Sequence, residues 1–188
     1  MIRTISSGLA VGAALALLAA AGEAQGSVTI IADGQAKACE RAAVRGEHNL
    51  IYERACTVAL ETEPLGAHDR AGTFVNRGVF KLRRGEFKSA RADFDAAIRI
   101  QPQMGEAYVN RAAAHIGARQ YQAGLADVDR GLALGVEEPH KAYFNRALAY
   151  EGLDDMKSAY LDYRKALELA PDWAAPQKEL ARFSISRR

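Results

Sequence analysis

An Asn-Arg pair recurs in this 188-residue chain at a nearly constant interval, in "FVNRGVF" (74–80), "YVNRAAA" (108–114) and "YFNRALA" (143–149). The interval is 34 residues from Asn76 to Asn110 and 35 from Asn110 to Asn145. A period of that length restricts the possible folds severely. A unit so short cannot bury its own apolar face, so it must stack against copies of itself in a one-dimensional array.

Other positions fall into the same phase. A ring precedes each pair by two residues (Phe74, Tyr108, Tyr143), and a small residue follows it (Gly78, Ala112, Ala147). Nine residues further on comes a large side chain, Phe87, Tyr121 or Met156, so the third unit keeps the bulk but not the ring. An acid then precedes a bulky residue in Asp93-Phe94, Asp127-Val128 and Asp162-Tyr163, and a small residue lies three positions beyond, at Ala97, Gly131 and Ala166. Pro102, Pro139 and Pro171 are expected to close the units, because proline cannot continue a helix. Each unit therefore reads as two amphipathic helices around a turn such as "RRGEF" or "EGLDDM", with small residues allowing close approach and large ones filling the gap.

In these features the chain resembles the tetratricopeptide repeat family, whose 34-residue unit has an aromatic, a small residue, A-x3-F and a closing Pro. Ala90-x3-Phe94 and Ala159-x3-Tyr163 match the A-x3-F element, and Gly124-x3-Val128 is a weaker form. One position departs from the pattern: Arg77, Arg111 and Arg146 stand where the family has Leu. The resemblance implies an all-α solenoid of helical hairpins in a right-handed superhelical stack. The expected organisation is a degenerate hairpin at 35–66, repeats at 67–104, 105–139 and 140–172, and a capping helix and tail at 173–188. In the cap, Trp173, Leu180 and Phe183 would cover the last apolar face, as terminal units of a solenoid require.

The N-terminus reads differently. Arg3 followed by the uncharged run "GLAVGAALALLAAA" (8–21) and by Gly22-Glu23-Ala24 has the form of a signal peptide over 1–24, cleaved after Ala24, with Ala21 as the second choice. The run falls short of the ~20 residues of a membrane span, so no stable anchor is expected. Export into a bacterial periplasm, or secretion, follows. Residues 25–34 would form an extended lead in which "SVTIIADG" alternates like a strand and could lie in the chain's own groove. In an oxidising compartment Cys39 and Cys56, the two cysteines of the chain, are expected to pair. By the family's pattern they lie on the facing sides of the first hairpin and would staple an end unit that has a single neighbour.

The resemblance also implies that the first helix of each unit lines a concave groove, with Asn76, Asn110 and Asn145 in a row. An amide offers both a donor and an acceptor to the main chain of an extended peptide. Val75, Val109 and Phe144 would flank the row, with Val79, Ala113 and Leu148 a turn further on. The alternative is that the amides bond within or between helices and set the superhelix. Some relatives grip a terminal carboxylate with Lys and Asn residues. Asn110 and Lys141 match two of those places, but Val75, Val79 and Asn145 do not, which argues against a clamp. Arg77, Arg111 and Arg146 are each followed after 16 residues by an acid on the second helix of the same unit, Asp93, Asp127 and Asp162. They read as structural ion pairs.

Charge and motifs narrow the function. The 25 basic and 23 acidic residues are mixed along the chain, with net charge +2, so the concentrated basic face that nucleic acid needs is missing. His48, His68, His115 and His140 are scattered, and the chain has no HExxH, GxSxG, P-loop or paired-cysteine zinc motif. No catalysis, metal or cofactor is expected. The reading is an exported scaffold for a protein or peptide; alternatives are an adapter tethered at the inner membrane by an uncleaved signal, or an accessory subunit of an enzyme.

Overall fold

The computed structural model describes residues 34–183, which form nine α-helices. The signal peptide expected at 1–24 and the lead through residue 33 lie outside the described residues, as do residues 184–188. The helices pair in chain order into four hairpins: α1 (Gly34–Val44) with α2 (Leu50–Thr62), α3 (Ala67–Arg83) with α4 (Phe87–Ile100), α5 (Gly105–Gly117) with α6 (Tyr121–Leu134), and α7 (Pro139–Gly152) with α8 (Met156–Leu169). A short α9 (Ala174–Leu180) lies against α8. Successive first helices touch one another, α1 with α3, α3 with α5 and α5 with α7, whereas the second helices stand further apart. The stack therefore curves with its first helices on the inner side.

The small residues after each Asn-Arg pair let the two helices of a hairpin meet. Gly78 lies so close under Phe94 that an added Cβ would come within 2.5 Å of the ring. Ala112 and Ala147 are buried in the same phase, with Val128 and Tyr163 as the bulky partners, and Phe94, Val128 and Tyr163 are fully buried. Hairpins also interlock with their successors. The Phe87 ring lies against Gly117, at the end of the next first helix, and the Tyr121 ring lies against Gly152 in the same way. Met156, the third residue of this series, is 45% exposed.

Each turn within a hairpin needs one residue in the left-handed region. That position is filled by Gly46 (φ 74°), Gly85 (φ 75°), Arg119 (φ 59°) and Asp154 (φ 63°). Only glycine adopts this conformation without steric cost. The boundary of the third hairpin differs from the expectation. Pro139 does not close α6; it opens α7 at its first turn, where a missing N–H costs nothing. Gly135, at φ 85°, ends α6 instead.

The two ends are secured separately. Cys39 and Cys56 form a disulfide across α1 and α2 with Cα atoms 5.0 Å apart, and both are fully buried beside Phe80 of α3. The Glu63 carboxylate, just after α2, accepts hydrogen bonds from the backbone N–H groups of Gln35 and Ala36 at the start of α1, where the helix dipole favours negative charge. At the other end Trp173 packs on Phe144 (ring centroids 4.8 Å apart) and on His140 (5.2 Å), while Leu180 and Phe183 cover Tyr163.

Candidate functional site

The inner surface is built from first helices. Asn76 on α3, Asn110 on α5 and Asn145 on α7 are all half-buried in the same phase. Asn110 donates from Nδ2 to the Glu106 carbonyl one turn back (2.9 Å), and Asn145 donates across to the Val109 carbonyl of α5 at a long 3.5 Å. Among the described residues Asn76 has no hydrogen-bond partner, and the side-chain oxygens of Asn110 and Asn145 accept no bond. The row therefore keeps acceptors on all three hairpins and a free amide on the first. Val79 and Leu148 are half-buried on the same helices, and Lys141 is exposed, paired with Glu138.

The expected apolar flanks need correction. Val75 and Val109 are each only 8% exposed, and they pack between successive hairpins rather than in an open channel. Phe144 sits under Trp173 and beside Tyr163. Consecutive residues of a helix point about 100° apart. With the Asn facing inward, the residue before it turns into the seam.

The Arg residues form a more elaborate arrangement than a pair within each hairpin. Arg111 holds Asp127 through Nε and Nη2 (2.8 and 2.6 Å), and its Nη1 reaches back to Asp95 of the preceding hairpin (2.7 Å). Arg146 repeats this with Asp162 (2.6 and 3.0 Å) and Asp129 (2.8 Å). Arg77 holds Asp93 (3.0 and 2.7 Å) and reaches Thr57 Oγ1 of the first hairpin at 3.2 Å. Lys81 adds a second cation on Asp93 at 2.7 Å. Each guanidinium also lies over the ring three residues before it, Phe74, Tyr108 or Tyr143, at 5.2 to 5.4 Å. Hydrogen bonds to Asp127 and Asp95 hold the Arg111 guanidinium above its ordinary pKa despite partial burial, and Asp162 and Asp129 do the same for Arg146.

Asp95, Asp129 and Thr57 are partners that the repeat pattern alone does not single out, although the acids stand two positions after Asp93 and Asp127. His115 is half-buried, bonded to Gln120 Oε1 at 2.8 Å and 3.7 Å from Asp127. Among the described residues no cluster of three or more His, Cys, Asp or Glu could hold a metal ion, and no helix is long and apolar enough to cross a membrane.

Known proteins share this architecture. Residues 140–172 match the tetratricopeptide repeat family. Sperm-associated antigen 1 of Rattus norvegicus is 32% identical over 119 residues, which take in 58% of this chain and 13% of that protein. The Hsp70-Hsp90 organizing protein of Triticum aestivum is 34% identical over 95 residues, 50% of this chain and 16% of that protein. The chain thus spans well under a fifth of the length of either relative. Among solved structures, the first TPR domain of the human RPAP3 protein superposes with a TM-score of 0.58 at 25% identity, covering 62% of this chain and 91% of that domain.

Proposed function

We propose that this stack of tetratricopeptide repeats is a non-catalytic exported scaffold that holds a protein or an extended peptide against its inner, Asn-bearing surface. The observation that carries the reading is the row Asn76, Asn110 and Asn145. Three half-buried amides stand in phase on three consecutive first helices, and their side-chain oxygens have no protein partner among the described residues. Such a row suits the main chain of an extended segment, which presents alternating donors and acceptors. Val79 and Leu148 supply apolar contact between the amides. The wheat relative is by name an Hsp70-Hsp90 organizing protein, which is in keeping with a scaffold. Val75 and Val79, where a carboxylate clamp needs Lys and Asn, favour recognition along the peptide rather than of its terminus.

Export rests on the N-terminal leader and on Cys39–Cys56, a buried disulfide suited to an oxidising compartment. Mass spectrometry of the mature N-terminus tests it: Gln25 as first residue is expected, whereas an intact residue 1 favours a membrane-tethered adapter. For the groove, the mature protein and an Asn76→Ala, Asn110→Ala, Asn145→Ala variant are used to capture proteins from periplasmic extract, with circular dichroism to establish that both fold. The wild type should retain a partner that the folded triple variant loses. Equal capture by both overturns the groove assignment.

A further inference from the structure

Each internal junction of the stack is closed by three helices around one guanidinium. Arg111, on a first helix, reaches Asp95 on the second helix behind it and Asp127 on its own second helix, and Arg146 joins Asp129 and Asp162 likewise. The C-terminal junction is built differently. Arg111 and Ala112 follow Pro102 by nine and ten residues, and the residues at the same distances from Pro171 are Leu180 and Ala181, so α9 occupies the place of a first helix. On α8, Arg164 stands where α4 has Asp95 and α6 has Asp129. The cation has moved from the first helix to the preceding second helix.

Among the described residues α9 has no second helix of its own beside it. Gly78, Ala112 and Ala147 are buried beneath the bulky residues of their second helices, whereas Ala181 is exposed. An open cleft runs between α8 and α9, lined by Tyr160, Leu161, Arg164, Leu180 and Phe183 and by Lys165 and Glu168, which pair with each other at 2.9 Å. Leu161 is 53% exposed. Arg164 lies over the Tyr160 ring at 5.9 Å and has no carboxylate partner among the described residues.

We propose that this cleft docks one amphipathic helix of a partner protein, in which an acidic residue is followed directly by a bulky apolar one. That dipeptide occurs in the three second helices that complete a repeat here, as Asp93-Phe94, Asp127-Val128 and Asp162-Tyr163. In the docked helix the bulky side chain covers Ala181 and the acid meets Arg164, so the charge that selects the partner sits on α8. A second copy of the chain is a poorer occupant. Its Asp93-Phe94, Asp127-Val128 and Asp162-Tyr163 pairs are buried in their own hairpins, α2 carries Ala55-Cys56 at that place, and the exposed pair Glu168-Leu169 ends α8 at the cleft itself, with Glu168 held by Lys165.

The test uses the mature full chain and a fluorescent peptide spanning residues 86–101, which carries Asp93-Phe94, read by fluorescence polarisation. Saturable binding is expected, weakened at least tenfold by Asp93→Lys or Phe94→Ala in the peptide. The exposed Arg164→Glu change in the protein should reverse the preference, so that the Asp93→Lys peptide binds better than the original; Ala181→Trp should block both. The triple Asn variant should bind this peptide normally, which separates the cleft from the inner groove. The proposal is overturned by absence of binding, by binding indifferent to the sign of residue 164, or by sedimentation showing that a second copy fills the cleft in a dimer that Leu161→Glu dissociates.

Discussion

The middle of the stack and its two ends are held together by different chemistry. Between internal hairpins, one arginine is shared by carboxylates of two successive units, and a ring of one hairpin rests on a glycine of the next. Each device joins a hairpin to one neighbour, so it leaves the outer face of a terminal unit uncovered. The first hairpin uses a covalent cross-link and a carboxylate at its helix start, and the last uses an aromatic pile of Phe144, Trp173, Tyr163 and Phe183. A solenoid gains stability from each interface, so its outermost units are the first to fray. Directional polar joints set the geometry inside, and a cross-link at one end and ring packing at the other secure the edges.

The contrast can be broken most strongly in the middle. Arg111→Ala strands Asp127, which is 8% exposed, and unpairs Asp95, and it should cost about 3 kcal/mol, near the lower end for a broken buried pair because the site keeps some solvent. Urea denaturation measures this loss, and the two hairpins on either side should lose cooperativity together. Replacing both cysteines by serine should cost up to about 3 kcal/mol for a loop of this size. Unlike the first change it should act locally, so hydrogen exchange should quicken in α1 and α2 while α5 to α8 keep their protection. Trp173→Ala should cost about 2 kcal/mol, less than for a buried ring since Trp173 is only partly covered, and should speed exchange in α7 to α9. The smallest effect sharpens the comparison from within the middle: Arg119→Gly relieves a left-handed residue and should stabilise the second repeat by about 1 kcal/mol, whereas the same turn of the preceding hairpin already has Gly85. A thermal melt of the variant reads the gain.

Most of this architecture is legible in the sequence because packing repeats with the chain. The Asn-Arg pair, the small residue after it and the acid-bulky pair all obey one period, and that period places each side chain on a helix face. The boundary at Pro139 is ambiguous in sequence because proline is compatible both with the residues after a helix and with its first turn; Gly135 is the residue that ends α6. Val75 and Val109 adjoin the Asn residues in sequence, which suggests the groove, yet helical rotation sends neighbours to different faces. The second arm of each arginine fork is hidden for a different reason. Asp95 and Asp129 belong to the preceding hairpin, and a contact between units shows in the repeat pattern only when each residue is compared backwards as well as forwards.

The ring resting on glycine bears on how such a chain can lengthen. Phe87 and Tyr121 have a glycine waiting in the next hairpin, while Met156 is the exposed, ringless member of the series. A duplicated α5–α6 segment inserted beside its original would find matching surfaces on both sides. The same segment appended after α8 would meet Met156 and Arg164, and neither complements it. Growth by gene duplication is thus channelled to the interior, and the terminal hairpins would be inherited as fixed bookends while the number between them changed.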